Sequence, residues 1–330
     1  MQVARIILPV LLAMVAAWGK EAGISGKRIL VIESYHAQYE WDREYSRAIR
    51  ERFGRRNKVS FFQMDTKRLP AGEHGRRAEA AWRAYLAAKP DLVFLGDDAA
   101  LKLLGPRLVQ ENTPVVYLGI NSNPRYYFAS PPRNMTGVLE RPLFKRCISL
   151  IKELIPEAKR VLVLLDSDLT SKIIMKEVFE DLPTQTVSQI QVDVELIDSY
   201  KVWQDTVRKS DPAYDFIVAG LYQTLKDAKG SPVDSEEVIR WTSANTKKPL
   251  FGFWSFSIGH EKAIGGLVLD AHEIGSMAAD MGVEILQGTP PDQLPPKFEN
   301  KGLFLFSKSE LAKWKISLSE EIRLKAHYVP

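Results

Sequence analysis

The chain has 330 residues, of which 45% are hydrophobic and 26% charged, and a formal net charge of +4. That length fills one large core or two medium ones, and the ordinary composition excludes wholesale disorder. Acidic and basic residues are interspersed without a dense Lys/Arg tract, which excludes nucleic-acid binding as the expected role.

Residues 1–19 carry one early cation, Arg5, then the apolar block IILPVLLAMVAAW and small residues. The block is short for a bilayer span and ends at a small-x-small site before Lys20, so a secretory signal peptide and a periplasmic product are expected, with an uncleaved anchor as the alternative. Cys147 is the one cysteine. It shares a helical face with Phe144, Ile148 and Ile151 and reads as a small core hydrophobe.

From residue 27 onward, apolar runs bounded by turn signals alternate with helical patterns. KRILVIES (27–34) reads as a strand and WDREYSRAIRERF as the helix behind it. KVSFFQM (58–64) is the next strand, followed by a helix from Gly72 to Ala88. DLVFLG (91–96) leads into a short helix, DDAALKLLG, stopped by Gly105 and Pro106. TPVVYLGI (113–120) closes the set. The irregular NSNPRYYFASPPRNMTG (121–137) reads as a crossover.

The rhythm then restarts. A helix from Arg141 to Ile155 precedes the strand KRVLVLLD (159–166), and Leu169 to Phe179 is helical. VSQIQVDVELI (187–197) alternates, DFIVAGLY (215–222) is buried, Ser235 to Asn245 is helical and KPLFGFW (248–254) is strand. GLVLD past Gly265-Gly266 is a strand, Ala271 to Leu286 a helix, GTPPDQLPP a stiff linker, GLFLF a strand, and Leu311 to Leu324 helical. This rhythm predicts an α/β protein of two doubly wound parallel-sheet lobes.

Ligands of open parallel sheets bind beyond the carboxyl ends of the strands. The residues leaving the strands here are polar or aromatic: Ser34-Tyr35-His36, Asp97-Asp98, Asn121-Ser122-Asn123, Ser167-Asp168, Tyr222-Gln223-Thr224, Trp254-Ser255 and Asp270. Singly, each reads as a cap or turn residue. Together they predict a cleft. The five histidines show no HExxH spacing, and neither His260-Glu261 nor His272-Glu273 is followed by a third ligand, so no metal is expected. Hydrolase-elbow, P-loop and dinucleotide signatures do not occur, and no cofactor is expected.

The order of these motifs resembles the periplasmic substrate-binding proteins of ABC transporters, of the type I periplasmic-binding fold, in the branch shared with extracellular sensor domains of bacterial histidine kinases. ESYHAQYEW (33–41) looks like that branch's S-Y-H-x-x-Y-x-W opening. LGDDAALKLLGPRLVQENTPVVYLGIN (95–121) is similar to its D-D-x-A-L, P-V-V and G-x-N elements, and NMTGVLE (134–140) to its T-G-V-x-E crossover. GFWSFSIGHEKAIGGLVLDAHEIGSMAADMGVEILQGTPPDQLP (252–295) resembles the aromatic strand end, double glycine and following helix. With a weaker match around LAKWKI (311–316), the resemblance covers nearly all of the chain expected to remain after residue 19.

It implies a hinged protein that closes on a small molecule in an interlobe cleft. Lobe one would hold residues 24–138 and 265–290, lobe two 139–264, with 291–330 as a C-terminal linker, strand and helix. Gly137, Gly265 and Gly266 would be hinge positions. The matching positions put Ser34, Tyr35, His36, Asp97, Asp98 and Asn121 on one wall. Trp254 and Ser255 would lie on the other, with Asp270 near the hinge, and the strand-end reading adds Ser167, Tyr222 and Gln223 as candidates. LYQTLKDAKG after DFIVAG departs from the sensor branch, which carries acidic residues there, and leaves the ligand class open. An amino-acid-like or aromatic ligand would suit Tyr35, Tyr222 and Trp254; sugars and nucleosides are alternatives. The function implied is a monomeric solute receptor delivering its ligand to a membrane permease. The alternative is a periplasmic sensor docking on a membrane histidine kinase or cyclase, and an enzyme on this scaffold is the third reading.

Overall fold

The computed structural model describes residues 24–330; the signal peptide expected at 1–19 lies outside them. The backbone packs as two compact units. Unit 1 comprises residues 24–65, Ala71–Leu139 and His272–Lys297, and unit 2 comprises Thr66–Pro70, Glu140–Ala271 and Phe298–Pro330.

In unit 1, β1 (Arg28–Glu33), β2 (Lys58–Gln63), β3 (Leu92–Gly96), β4 (Val115–Ile120) and β5 (Met135–Leu139) lie in the order β5-β4-β3-β1-β2, with β12 (Lys297–Phe298) beyond β5. Pairing from β2 through β5 is parallel throughout. β3 and β4 are buried along their whole length, as strands of a parallel sheet covered on both faces are. α1 (Glu40–Phe53) follows β1. It buries Trp41, Tyr45, Ala48, Ile49 and Phe53 at helical spacing and carries acids in its first turn and arginines in its last, both favourable to its dipole. α2 (Ala71–Ala88) returns the chain to β3, and α3 (Asp97–Leu108) joins β3 to β4. α8 (Ala271–Leu286) comes back from late in the sequence. A side chain on its Gly275 would meet the backbone of Tyr45, so α8 and α1 are in direct backbone contact.

In unit 2, β6 (Arg160–Asp166), β7 (Thr184–Val187), β8 (Ile190–Ile197), β9 (Phe216–Ala219) and β10 (Leu250–Gly252) lie in the order β10-β9-β6-β8-β7. α4 (Phe144–Leu154), α5 (Leu169–Glu177), α6 (Tyr200–Lys209) and α7 (Ser235–Asn245) accompany them. Cys147 lies on the buried face of α4, where burial pushes its thiol up to about 12. A second sheet of β11 (Gly265–Val268), β13 (Leu303–Ser307) and β14 (His327–Val329) completes the unit with α9 (Lys308–Trp314) and α10 (Glu320–Lys325).

Both units show the same reversal of strand order, between β1 and β3 in one and between β6 and β9 in the other, where open α/β sheets bind ligands.

Several elements differ from the sequence reading. Residues 187–197 do not form one strand. Ser188 and Gln189, at φ 48° and 64°, turn the chain between β7 and β8, an antiparallel hairpin on an otherwise parallel sheet. α3 runs through Gly105 and Pro106, because Val109 N–H still reaches the Gly105 carbonyl at 2.9 Å and Phe128 packs over Gly105. The C-terminal helix is two short helices. Gly265 and Gly266, expected at the return crossing, sit inside β11 in unit 2, and the crossing follows at Ala271 and His272. Both have positive φ (141° and 152°), and a Cβ on Gly265 would strike the Leu305 carbonyl and Phe306 on β13. Gly137 likewise lies within β5, packed on Tyr117. The segment 298–330 joins unit 2 rather than standing apart.

Candidate functional site

The unit 1 rim is assembled where β1, β3 and β4 end side by side. Ser34 is fully buried; its hydroxyl donates to the Gly96 carbonyl at 2.6 Å and accepts from Ala100 N–H at 2.8 Å, stitching β1 to the start of α3. Asp98 is 1% exposed. It accepts from Asn121 N–H (2.9 Å), Ser122 N–H (3.1 Å) and the Tyr127 hydroxyl (2.8 Å). Those bonds occupy the carboxylate with holding the loop after β4, so Asp98 shapes the rim. Asn121 and Ser122 are buried at that loop's start. Asp97 precedes Asp98 in the left-handed region at φ 66°, and the absence of a side chain on Gly119 leaves room for its carboxyl and for the indole N–H of Trp41.

Tyr35 is buried. Its N–H donates to Asp42 Oδ2 at 3.1 Å, its carbonyl accepts from Asp65 N–H, and its ring meets Tyr39 edge-on at 5.0 Å. His36 is half-buried and contacts Gln38 at 3.2 Å. Beneath the rim lie Glu33, Asp42, Asp97 and Tyr45. Burial, reinforced by Asp42, Glu33 and Asp97, pushes the Tyr45 phenol well above its ordinary range. Burial also raises the Glu33 carboxyl, against the opposing influence of Ser46, Gln63 and Arg50.

The unit 2 rim has a counterpart to Asp98. Asp166 is fully buried at the end of β6, where it accepts from the Ser171 hydroxyl (2.5 Å) and from Thr224 N–H (3.1 Å), bracing the loop after β9. Ser167 and Asp168 follow, half-buried, at the entry to α5. Asp168 Oδ2 stands 3.8 Å from the Lys67 ammonium. Tyr222 and Gln223 are buried in the braced loop, and the Tyr222 ring packs between Trp203 and Phe256 at 6.3 and 6.1 Å.

Phe253 points into the core, edge-on to Phe144. Trp254 is also buried. Its indole N–H donates to Glu140 Oε1 at 2.6 Å and its ring stacks on Phe256. Ser255 is half-buried, its N–H bonded to the Leu269 carbonyl, and Asp270 lies just past it. In unit 1 the sequence-predicted residues follow the strands of one sheet, whereas in unit 2 Asp270 follows β11 of the second sheet, which a bridge between Leu269 and Trp254 ties to the end of β10. Sequence reasoning missed Lys67, Glu140 and Tyr127. Glu140 ends the NMTGVLE motif, whose T-G-V-x-E form was a usable signal; Lys67 and Tyr127 sit in loops without one.

The two His-Glu pairs have local partners. His260 Nδ1 lies 3.2 Å from Ser309 Oγ, and His272 Nε2 lies 2.8 Å from Glu51. Among the described residues no three His, Cys, Asp or Glu side chains converge as a metal site, and no helix is long and apolar enough to cross a membrane. A groove of about 710 Å³ in unit 2, lined by Trp241, Arg240, His260 and Lys313, flanks the last turn of α7 at the amino edge of β10, away from the rim. Its charges pair with one another, Arg240 with Glu261 at 2.6 Å and Lys313 with Glu310 at 3.0 Å. We therefore place the candidate site at the braced rims.

The sequence model of the ABC transporter substrate binding protein family matches residues 88–329. The chain belongs to that family. No curated protein sequence matches this substrate-binding protein, but solved structures do. An ABC domain in complex with L-Trp from Streptococcus pneumonia is 18% identical, with a TM-score of 0.67 over 92% of this chain and 100% of that one. A conserved domain protein from Vibrio cholerae is 16% identical, with a TM-score of 0.63 over 93% and 100%. The ligand-free, open substrate binding protein CD0873 from Clostridium difficile is 14% identical, with a TM-score of 0.62 over 92% and 99%. These identities speak for the fold. It is the type I periplasmic-binding fold, and the family is one of substrate binders, not of enzymes.

Proposed function

We propose that this chain is a periplasmic solute-binding protein whose two rims take up one small molecule, each supplying a wall, and that the loaded protein delivers it to the permease of an ABC transporter. The observation that carries this reading is the paired construction of the rims. In each unit a buried aspartate, Asp98 or Asp166, spends its carboxylate on fixing the loops at the point of strand-order reversal. Such bracing pre-orders a binding surface before its ligand arrives, which lowers the entropy lost on binding. Family membership supports the solute-binding role.

His36, Asp97 and Asn121 in unit 1, with Ser167, Gln223, Ser255 and Asp270 in unit 2, are the polar candidates for ligand contact. Tyr35, Tyr222 and Trp254 would supply apolar walls. An amino-acid-like or aromatic solute fits that mixture, and the L-Trp complex of a fold relative supports the choice. Closure would bend the chain where it passes between units, at Leu139–Glu140, Ala271–His272 and Lys297–Phe298.

A thermal-shift panel of amino acids, sugars and nucleosides tests the reading. A true ligand at a hundred times its Kd adds about 2.7 kcal/mol and raises Tm by several degrees. A panel without a saturable hit, repeated with the protein first unfolded and refolded to strip any carried-over solute, would sink it.

A further inference from the structure

Glu140 opens the stretch Glu140–Ala271 of unit 2, directly after β5. It is buried, and its Oε1 accepts from the Trp254 indole N–H at 2.6 Å, across 114 positions of sequence. That is shorter than the ordinary ~2.9 Å of an N–H···O bond, as bonds to a carboxylate are. The same strand end is tied a second time. Trp254 bridges Leu269 in parallel register, with Ser255 N–H on the Leu269 carbonyl at 3.1 Å and Leu269 N–H on the Phe253 carbonyl at 3.0 Å. Leu269 stands just before Ala271, the last residue of the stretch.

The end of β10 is therefore held at both ends of this stretch, by a side-chain bond to its first residue and by backbone bonds near its last. The Trp254 ring is fixed as well, stacked on Phe256 at 6.1 Å and packed against Phe253 at 6.0 Å. Phe256 carries the contact on to Tyr222. Two candidates for solute contact flank the knot, Ser255 next to Trp254 and Asp270 next to Leu269. A shift of this wall must pull Glu140 with it or leave a buried indole N–H unsatisfied, which is the costly outcome.

We propose that Glu140 is a positioning residue of the solute site: through its bond to Trp254 it makes the wall of Trp254, Ser255 and Asp270 move as one piece with the chain at residues 139–140 and 271–272, so that solute contact at the wall favours closure. This inference rests on the solute-binding reading, and its test is built so that the two can fail separately.

The Trp254 indole N–H of the purified protein is followed by proton–nitrogen NMR and assigned by its loss in Trp254→Phe. In the wild type its resonance lies downfield and exchanges slowly with solvent. Glu140→Leu moves it upfield and speeds exchange of the Ser255 and Leu269 amides by about tenfold. Glu140→Gln, which keeps an acceptor, restores most of both. L-tryptophan, D-ribose and adenosine, then the rest of the thermal-shift panel, are titrated calorimetrically. A solute that binds the wild type loses about tenfold in affinity in Glu140→Leu and less in Glu140→Gln. The double variant Glu140→Leu/Trp254→Phe binds no more weakly than the weaker single one, the non-additivity of one shared bond. Small-angle scattering shows the wild type contracting at saturation and Glu140→Leu contracting less at the same occupancy. Unchanged affinity in Glu140→Leu beside a displaced indole resonance overturns the proposal, because the bond is then packing alone. So do additive losses from Glu140→Leu and Trp254→Phe, which give the two residues separate roles. Should Glu140→Leu fold poorly, Glu140→Gln with Trp254→Phe carries the cycle. If no panel solute binds the wild type, the solute-binding reading itself falls and this inference with it.

Discussion

Asp98 and Asp166 do the same job in different units, and they show why a residue type at a strand end does not by itself define a ligand contact. A buried carboxylate must find donors inside the protein. Asp98 finds them in Asn121, Ser122 and Tyr127, and Asp166 in Ser171 and Thr224. Glu33 is less well served. Its Oε1 accepts from Ser46, but Oε2 has no partner and burial raises the carboxyl above its ordinary value. A raised acid binds its proton more tightly folded than unfolded, so stability falls as pH rises from the unfolded value, about 4.3, towards the folded one, and levels off above it. Glu33→Gln keeps an acceptor for Ser46 and removes the ionisation. Its unfolding free energy, measured in urea, should match the wild type near pH 4 and exceed it at pH 7. A gap that does not widen with pH would show that the folded Glu33 carboxyl ionises no less readily than the unfolded one.

At the scale of elements, β11 shows how local chemistry and sheet packing share one residue. Gly265 and Gly266 read in the sequence as a flexible joint; in the structure Gly265 lets β11 lie against β13 with backbone in contact, and Gly266 lies against Cys147 and the Gly252 carbonyl. At Gly265 a side chain would meet the Leu305 carbonyl and the Cα of Phe306 at 2.8 Å, and φ is 141°. Gly265→Val should therefore cost about 3–5 kcal/mol in unfolding free energy, combining overpacking with a disfavoured backbone. A loss below about 1 kcal/mol would mean β11 can shift away from β13 and would restore the joint reading. Elements with strong periodicity were legible: β1, β3, β6 and α1 fall where the apolar spacing places them. The β7–β8 hairpin was not, because Ser188 and Gln189 supply positive φ without a glycine to announce it. The C-terminal helices were blurred by amphipathic residues that continue across the break at Lys315, whose φ is 54°.

For the molecule as a whole, the β-α rhythm and its restart after residue 140 made the doubly wound folds legible, because continuous apolar strands fit no other arrangement so well. The return of α8 to unit 1 came only from the family resemblance, since nothing in a helix's own pattern names the sheet it will cover. Lys67 was hidden for the same reason: its burial depends on Thr66–Pro70 packing with residues a hundred positions on, roughly the distance to Asp168. If the two rims hold one solute, binding must quiet both. Native-state hydrogen exchange reads this directly, because loops that open locally exchange on their own local free energy, and a ligand that binds the closed form raises it. On adding a panel hit at about a hundred times its Kd, amides at Tyr35–His36 and Asn121–Ser122 in unit 1 and at Tyr222–Gln223 and Ser255 in unit 2 should slow together, by up to about a hundredfold. Slowing confined to one unit would leave the solute on a single wall and end the two-rim reading, whereas slowing in both at the same ligand concentration is what a shared molecule requires.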